Sequence, residues 1–470
     1  MSTASPIGEL AGRFSGRLLT DPEDMAPFLV DWRKLWRGAA SAVVQPDSTE
    51  DVAAIVRWCG EHHVAIVPQG GNTGMSGGAT PEVEGDVIVL SLARMNRIRA
   101  VDPLDNVIIV DAGCILQAVQ EAADEVGRLF PLSLGAEGSC TIGGNLATNA
   151  GGTGVLRYGN ARDLCLGIEA VTAQGEVWDG LRRLRKDNSG YDLRDLFIGS
   201  EGTLGIITGA VMRLFPRPAA RVAAFVALSS VASALALFDR ARATLDTALT
   251  ACEFLSEECL ALLLDHRPDL RRPLAEAAPW YVLIELSGLE EEAKLRAALE
   301  DLLAGAFERG DVIDAAIAGS VAQTRAFWAL REGISEAQGA IGKTIKHDVA
   351  VPLSRIPAFL AEADAAIASR WPEIRFVTFG HLGDGNIHYN FSPPRGGDQQ
   401  AFLADQDAIN RVTHDIVVRH GGTVSAEHGL GQLRHHEAAR YRPSVETALM
   451  RVVKQALDPL GLMNPGKVLP

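Results

Sequence analysis

Glycine is concentrated in two short windows of this chain. Residues 70–78, Gly70-Gly-Asn-Thr-Gly-Met-Ser-Gly-Gly78, carry five, and residues 135–159 carry eight, so 13 of 47 fall in 34 residues. Backbone without a Cβ can take positive φ and bring its N–H groups against a ligand, which is how loops hold phosphate. The first window follows the apolar run Ala65-Ile-Val67, so it is predicted to be a loop at the carboxyl end of a strand. Two such loops suggest one long ligand threaded between two lobes, with an ordinary flexible turn the alternative for either window alone. The chain has no G-x-G-x-x-G after a strand with an acidic residue some 20 positions on, and no G-x-x-x-x-G-K-[ST]. A Rossmann dinucleotide site and a P-loop are therefore disfavoured.

The 470 residues carry 44 Lys+Arg against 59 Asp+Glu, a net charge of −15. That balance lacks the footprint needed to neutralise a phosphate backbone or an anionic membrane surface, so no nucleic acid partner is expected. No window holds 18 uninterrupted apolar residues, so no membrane span is expected. Cys59, Cys114, Cys140, Cys165, Cys252 and Cys259 form no C-x-x-C pair and read as reduced core thiols. The first residues lack the marks of a signal or transit peptide, and a cytoplasmic protein is expected.

From about 40 to 215, short apolar runs alternate with helical stretches and glycine-rich turns, the pattern of an α/β domain with many short strands. The prolines of Phe215-Pro-Arg-Pro218 suggest a boundary. The expected domains are 1–217, 218–420 and 421–470. The second is read as an α+β domain whose sheet carries helices on one face, and the third as a segment that completes the active site and returns to the first.

Thr378-Phe-Gly-His-Leu-Gly-Asp-Gly-Asn-Ile-His-Tyr-Asn390 contains a strong turn signal at Asp384-Gly385 between apolar flanks. Counting outward from a two-residue turn opposes His381 to His388 on one face, with Asn390 on the same face. Two close imidazoles suit a divalent metal, and a carboxylate would complete an open three-ligand site. Glu427, before a glycine-rich turn and beside His428, is the best candidate. Histidines that merely hydrogen-bond in a loop are the plainer alternative.

Several segments together resemble a known family. Pro68–Gly78, Gly143–Gly152, Arg157-Tyr-Gly159 and Gly199–Thr208 are similar to the FAD-binding loops of the vanillyl-alcohol oxidase / p-cresol methylhydroxylase flavoproteins. His381–His388, Ser425–Gly431 and Asn464-Pro-Gly-Lys467 resemble its D-2-hydroxyacid dehydrogenase branch, and Arg185–Tyr191 looks closest to D-2-hydroxyglutarate dehydrogenases. The resemblance covers nearly the whole chain. It implies an α+β protein, with a two-lobed FAD-binding domain and an α+β substrate (cap) domain whose sheet is largely antiparallel.

By that resemblance the FAD diphosphate lies on Gly70, Gly71, Asn72, Thr73, Gly74, Met75 and Ser76, with Pro68 at the loop's start. Gly135, Ser139, Thr141, Gly144, Asn145, Ala150, Gly151, Gly154, Tyr158 and Gly159 run along the rest of the cofactor with Glu201, Gly202, Ile207 and Asn464. Many relatives attach the flavin through a histidine in the first glycine loop. Here that loop has Asn72, and His62 and His63 precede the strand, so FAD is expected to be non-covalent.

The resemblance also implies that His381, His388 and Glu427 hold a metal, with Zn²⁺ the first choice. Oxidising a 2-hydroxy acid moves a hydride from C2 to flavin N5, and a metal lowers the hydroxyl's pKa. His428 is the candidate base, with an orienting role as its alternative, and Asn390 would help hold the substrate. Arg331, Ser335 and Lys346 match positions gripping a distal carboxylate, with Arg331 and Ser335 four apart on one helical face. This sequence has serine where a threonine is expected. A dicarboxylate, D-2-hydroxyglutarate foremost, would use these cations. D-malate, D-lactate and glycolate stay open, as do an alkylglycerone-phosphate type of synthase, a catalytically silent flavin-binding protein and a flavin-free metallohydrolase. The acceptor is expected to be an electron-transfer flavoprotein or quinone, not NAD, and a homodimer is one assembly allowed for.

Overall fold

The computed structural model describes residues 6–83 and 85–470. The chain divides into two compact units. Unit 1 holds the described residues through Gly152, then Tyr158–Arg217 and Glu427–Pro470; unit 2 holds Thr153–Arg157 and Pro218–Ala426. The chain crosses briefly at Thr153–Arg157, crosses again at Pro218 beside the prolines of Phe215–Pro218, and returns after Ala426.

In unit 1, β1 (Gly16–Leu19), β2 (Ala42–Pro46), β3 (Ala65–Gln69) and β4 (Val87–Ser91) form one sheet in the order β1-β2-β4-β3. β2 and β3 run parallel to β4. β2 and β3, parallel strands on either side of β4, need a crossover between them, and the helix Thr49–His62 supplies it. Its start is capped by Ser48, whose hydroxyl accepts from the Asp51 N–H at 3.1 Å. It ends where His63 turns left-handed at φ 57°. Val52, Ile55, Val56 and Trp58 form its buried stripe. β3 then delivers the chain directly into the first glycine loop.

The second sheet of unit 1 joins β5 (Ile98–Asp102), β6 (Val107–Asp111), β8 (Cys165–Thr172), β9 (Val177–Gly180) and β10 (Gly205–Arg213) in the order β5-β6-β10-β8-β9. A small pair, β7 (Arg128–Leu129) with β11 (Phe215–Pro216), lies apart. One apolar core includes Ile66 and Leu90 from the first sheet and Ile108, Val110, Ile168 and Ile206 from the second. At about 1.5–3 kcal/mol for each fully buried aliphatic side chain, this shared core fixes the loops at the strand ends.

Unit 2 is built on β12 (Ala220–Leu228), β13 (Leu249–Ser256), β14 (Trp280–Gly288), β15 (Val312–Ile317), β16 (Asp348–Ala350), β17 (Arg375–His381) and β18 (Asn386–Ser392). They form one sheet ordered β15-β12-β14-β13-β17-β18-β16, antiparallel throughout as expected. Helices cover both faces, not one. Val222, Ala224 and Val226 pack with the helices Val231–Leu245 and Glu292–Glu308, while Ala223, Phe225 and Ala227 pack with Glu257–His266 and Val321–Glu332. A strand buried on both sides loses its polar alternation, so its sequence does not mark the second layer.

All six cysteines are buried free thiols. Among the described residues no helix is long and apolar enough to cross a membrane.

Candidate active site

Unit 1 contains a cleft enclosing about 950 Å³, lined by Pro68–Gly74, Ser76, the segment around Thr141–Thr148, Phe197, Ser200–Gly202, Gly205–Ile207 and His428. No Lys or Arg is among its lining residues. Anion binding there would fall to backbone N–H groups and hydroxyls. The two glycine windows are pressed together: a Cβ on Gly70 would lie 2.3 Å from Thr141 Oγ1, and one on Gly71 would lie 1.9 Å from the Ser139 carbonyl oxygen. Neither position accepts a side chain.

Of the residues expected along the FAD, Pro68, Gly70, Gly71, Asn72, Thr73, Gly74, Ser76, Thr141, Gly144, Asn145, Glu201, Gly202 and Ile207 line this cleft. Met75, Gly135, Ser139, Ala150, Gly151, Tyr158, Gly159 and Asn464 do not, and Gly154 belongs to unit 2. Glu201 and Asn464 act as braces. The Glu201 carboxylate accepts from the Leu430 and Gly431 N–H groups at 2.7 and 2.9 Å. Asn464 donates to the carbonyls of Gly78 and Glu201 at 2.9 and 2.7 Å. Burial pushes the Glu201 carboxyl above the usual range despite those two donors. His428 reaches the cleft wall, whereas His62 is stacked on Trp58 with Nδ1 on that residue's carbonyl at 2.9 Å.

The histidine hairpin of unit 2 has a different register from the one expected. His381 pairs with Asn386 and Phe379 with His388, so the connection is the four residues 382–385. The turn opens early because Leu382 is drawn fully into the core and the Gly383 N–H donates to Cys252 O at 3.3 Å. The Asp384 carboxylate accepts the Asn386 N–H at 3.0 Å, and Gly385 takes φ 82°. The two histidines are diagonal neighbours. They still share a face, with ring centroids 5.6 Å apart, because the slip moves the pairing by two residues on one strand.

Each imidazole is backed by a carboxylate from a neighbouring strand. Glu253 lies directly opposite His381, and its Oε1 is 2.9 Å from His381 Nδ1. Asp348 lies opposite His388, with Oδ1 4.0 Å from His388 Nδ1, and also accepts from Asn386 Nδ2 at 2.9 Å. A carboxylate can only accept, so Glu253 assigns the Nδ1–H tautomer to His381 and leaves Nε2 as the ligand atom. An imidazole held as His381 is by Glu253 is the usual form of a metal-ligating histidine, so the donor set fits a divalent ion.

Arg331 ends the helix Val321–Glu332 and is 6% exposed. One Nη lies 2.9 Å from Glu253 Oε2 as an ion pair without aligned hydrogen-bond geometry, the guanidinium sits 4.8 Å above the Phe379 ring, and its Nε has no hydrogen-bond acceptor. Burial acts to raise the Glu253 carboxyl, but His381 and Arg331 outweigh it and hold it below the ordinary range. The helix breaks at Gly333, and Ser335 stands exposed on the next one, Ile334–Ala340. Asn390 is buried, accepting the His347 N–H at 3.0 Å and donating to Gln338 Oε1 at 3.1 Å. Lys346 is half-buried on the approach to β16. The Ala426 N–H lies 3.1 Å from Asp348 O and 3.2 Å from its Oδ2, and Glu427 follows directly in the chain.

Glu253 and Asp348 were not anticipated. The signal available for Glu253 was a lone carboxylate inside the apolar strand Leu249-Thr-Ala-Cys-Glu-Phe-Leu-Ser256, which is rare without a buried partner.

Residues 40–180 match the family model described as FAD binding domain, and residues 217–468 match that of FAD linked oxidases, C-terminal domain. The chain belongs to the FAD-linked oxidases. This FAD-linked oxidase is 41% identical to the mitochondrial D-2-hydroxyglutarate dehydrogenase of Bos taurus, covering 97% of this chain and 81% of that protein. It is 41% identical to the D-2-hydroxyglutarate dehydrogenase of Xanthomonas citri pv. viticola, covering 96% and 94%. Among solved structures it resembles p-cresol methylhydroxylase with a TM-score of 0.78 at 18% identity, over 98% of this chain and 96% of that one. An alkyldihydroxyacetonephosphate synthase gives 0.74 at 18%, over 98% and 84%. At these identities the structures share the fold, which is the expected one. Membership of an FAD-linked family sets aside the flavin-free metallohydrolase.

Proposed function

We propose that this enzyme oxidises D-2-hydroxyglutarate to 2-oxoglutarate, with hydride passing from C2 to N5 of a non-covalently bound FAD. The observation that carries the reading is one sheet face presenting two carboxylate-backed imidazoles beside a buried guanidinium with an unused Nε–H. The near-full-length likeness to D-2-hydroxyglutarate dehydrogenases supports it. When bound, FAD supplies the hydride acceptor, and a divalent metal, Zn²⁺ by preference, supplies a Lewis acid for the hydroxyl.

His381, His388 and Glu427 would hold the metal, and the His428 imidazole would accept the hydroxyl proton. Arg331, Ser335 and Lys346 would bind the distal carboxylate. Asn390, fixed by His347 and Gln338, would orient the substrate. Backbone N–H groups around Gly70–Ser76 would carry the diphosphate. A protein or quinone acceptor would reoxidise the flavin, and the six buried thiols suit a cytoplasmic setting.

Anaerobic bleaching of the flavin spectrum by a panel of D- and L-2-hydroxy acids, with and without chelator, tests this. D-2-hydroxyglutarate should bleach fastest, and only with metal present. Bleaching by D-lactate but not by D-2-hydroxyglutarate would reject the substrate, and full activity after verified metal removal would reject the metal's role.

A further inference from the structure

The Glu253 carboxylate has one oxygen on His381 and the other on Arg331, two residues the reading above places in different tasks. It is 1% exposed, on the central strand β13, and its position directly opposite His381 is fixed by sheet register rather than by a mobile loop. The sequence separation from His381 is 128 residues. We propose that Glu253 is the positioning residue common to both halves of the substrate site: it holds His381 through Nδ1, so that Nε2 is the atom presented to metal, and it anchors Arg331 for the distal carboxylate. This inference rests on the proposed function.

The geometry makes the two roles inseparable. Turning the carboxylate to favour the imidazole moves its other oxygen away from the guanidinium. A glutamine at this position could still accept from His381 Nδ1, but its NH₂ would face the Arg331 donors. At His388 the carboxylate is Asp348, 4.0 Å away, which also accepts from Asn386 Nδ2 and the Ala426 N–H.

A second buried carboxylate provides the control. Glu285, on the adjacent strand β14, accepts from Trp328 Nε1 at 2.8 Å and from Thr250 Oγ1 at 3.4 Å. FAD-loaded protein stripped of metal would be titrated with Zn²⁺ against a chelating dye, comparing wild type with E253Q, E253Q/R331M and E285Q. The double variant leaves no buried charge unpaired and guards against simple misfolding of E253Q. Zn²⁺ affinity should fall about 10- to 100-fold in E253Q and in the double variant, and stay within about twofold of wild type in E285Q.

Wild-type affinity in the folded double variant would overturn the proposal, as would an equal loss in E285Q. Failure of the double variant to fold would also count against it, since Glu253 would then be needed for the core alone. If wild type itself takes up no Zn²⁺, the metal part of the proposed function fails together with this inference. If wild type binds and the variants match it, only this inference fails.

Discussion

A buried guanidinium is costly unless its charge is matched, and Arg331 is matched by a single carboxylate. Two consequences follow from removing it. Arg331→Met leaves Glu253 buried without its cation and should cost about 3–5 kcal/mol of stability at neutral pH, read by urea unfolding. It also removes the group proposed to grip the distal carboxylate. At a temperature where the variant stays folded, kcat/KM for D-2-hydroxyglutarate should fall by about 2–5 kcal/mol, roughly 30-fold or more. D-lactate, which has no second carboxylate, should lose little; equal losses would remove the distal-carboxylate role. Gly71 poses a steric version of the same kind of test. An added methyl meets the Ser139 carbonyl at 1.9 Å, so Gly71→Ala should prise apart the two glycine windows. The purified variant should carry far less FAD than wild type, read from the ratio of visible to 280 nm absorbance. Full occupancy would mean that the loops can separate without harm to the site.

At the scale of elements, the features legible in the sequence were those written in local pattern. The glycine loop after Ala65-Ile-Val67 and the His381/His388 face depend on a few consecutive residues, and both lie where expected. Register depends on contacts with a third strand. The capture of Gly383 by Cys252 changes the hairpin, and nothing inside Thr378–Asn390 reports it. Glu253 and Asp348 were invisible for the same reason, since their meaning lies in strands far away in sequence. The i, i+4 spacing of Arg331 and Ser335 assumes an unbroken helix, and the interruption at Gly333 is not marked by that spacing.

Glu169 on β8 has similar long-range ties, to Arg99 on β5, Thr49 at the first turn of its helix and Thr208 on β10. Burial raises its carboxyl, but these donors outweigh it and hold it below the ordinary range. A depressed folded-state pKa adds stability above the unfolded value, near 4.3, and that stability is lost as pH falls through the folded value. Glu169→Gln should therefore lower stability at pH 7 by about 1 kcal/mol, the scale of a solvent-screened pair. The difference from wild type should shrink in acid. Parallel stability curves down to pH 3 would show that the carboxylate is not linked to folding.

For the whole molecule, the division of labour is set by where the chain crosses between units. Unit 1 builds the cofactor cleft from three separated stretches, the last returning after unit 2 is complete. That return brings His428 to the cleft wall and Asn464 onto Gly78 and Glu201. A −15 chain with no cation on this cleft must attract its anionic ligands through local donors, not through its overall field. Each unit also has its own apolar core, one large and two small clusters in unit 1 and two layers in unit 2. Calorimetry of the FAD-free protein should accordingly depart from a single two-state transition, with a van't Hoff enthalpy below the calorimetric one. Because the cleft lies wholly within unit 1, FAD at 100 times its Kd should stabilise that unit by about 2.7 kcal/mol. At about 2–4 °C per kcal/mol for a unit of this size, its transition should rise by roughly 5–11 °C while that of unit 2 moves less. One transition of full calorimetric enthalpy that moves as a whole with FAD would instead mean that the two cores unfold together.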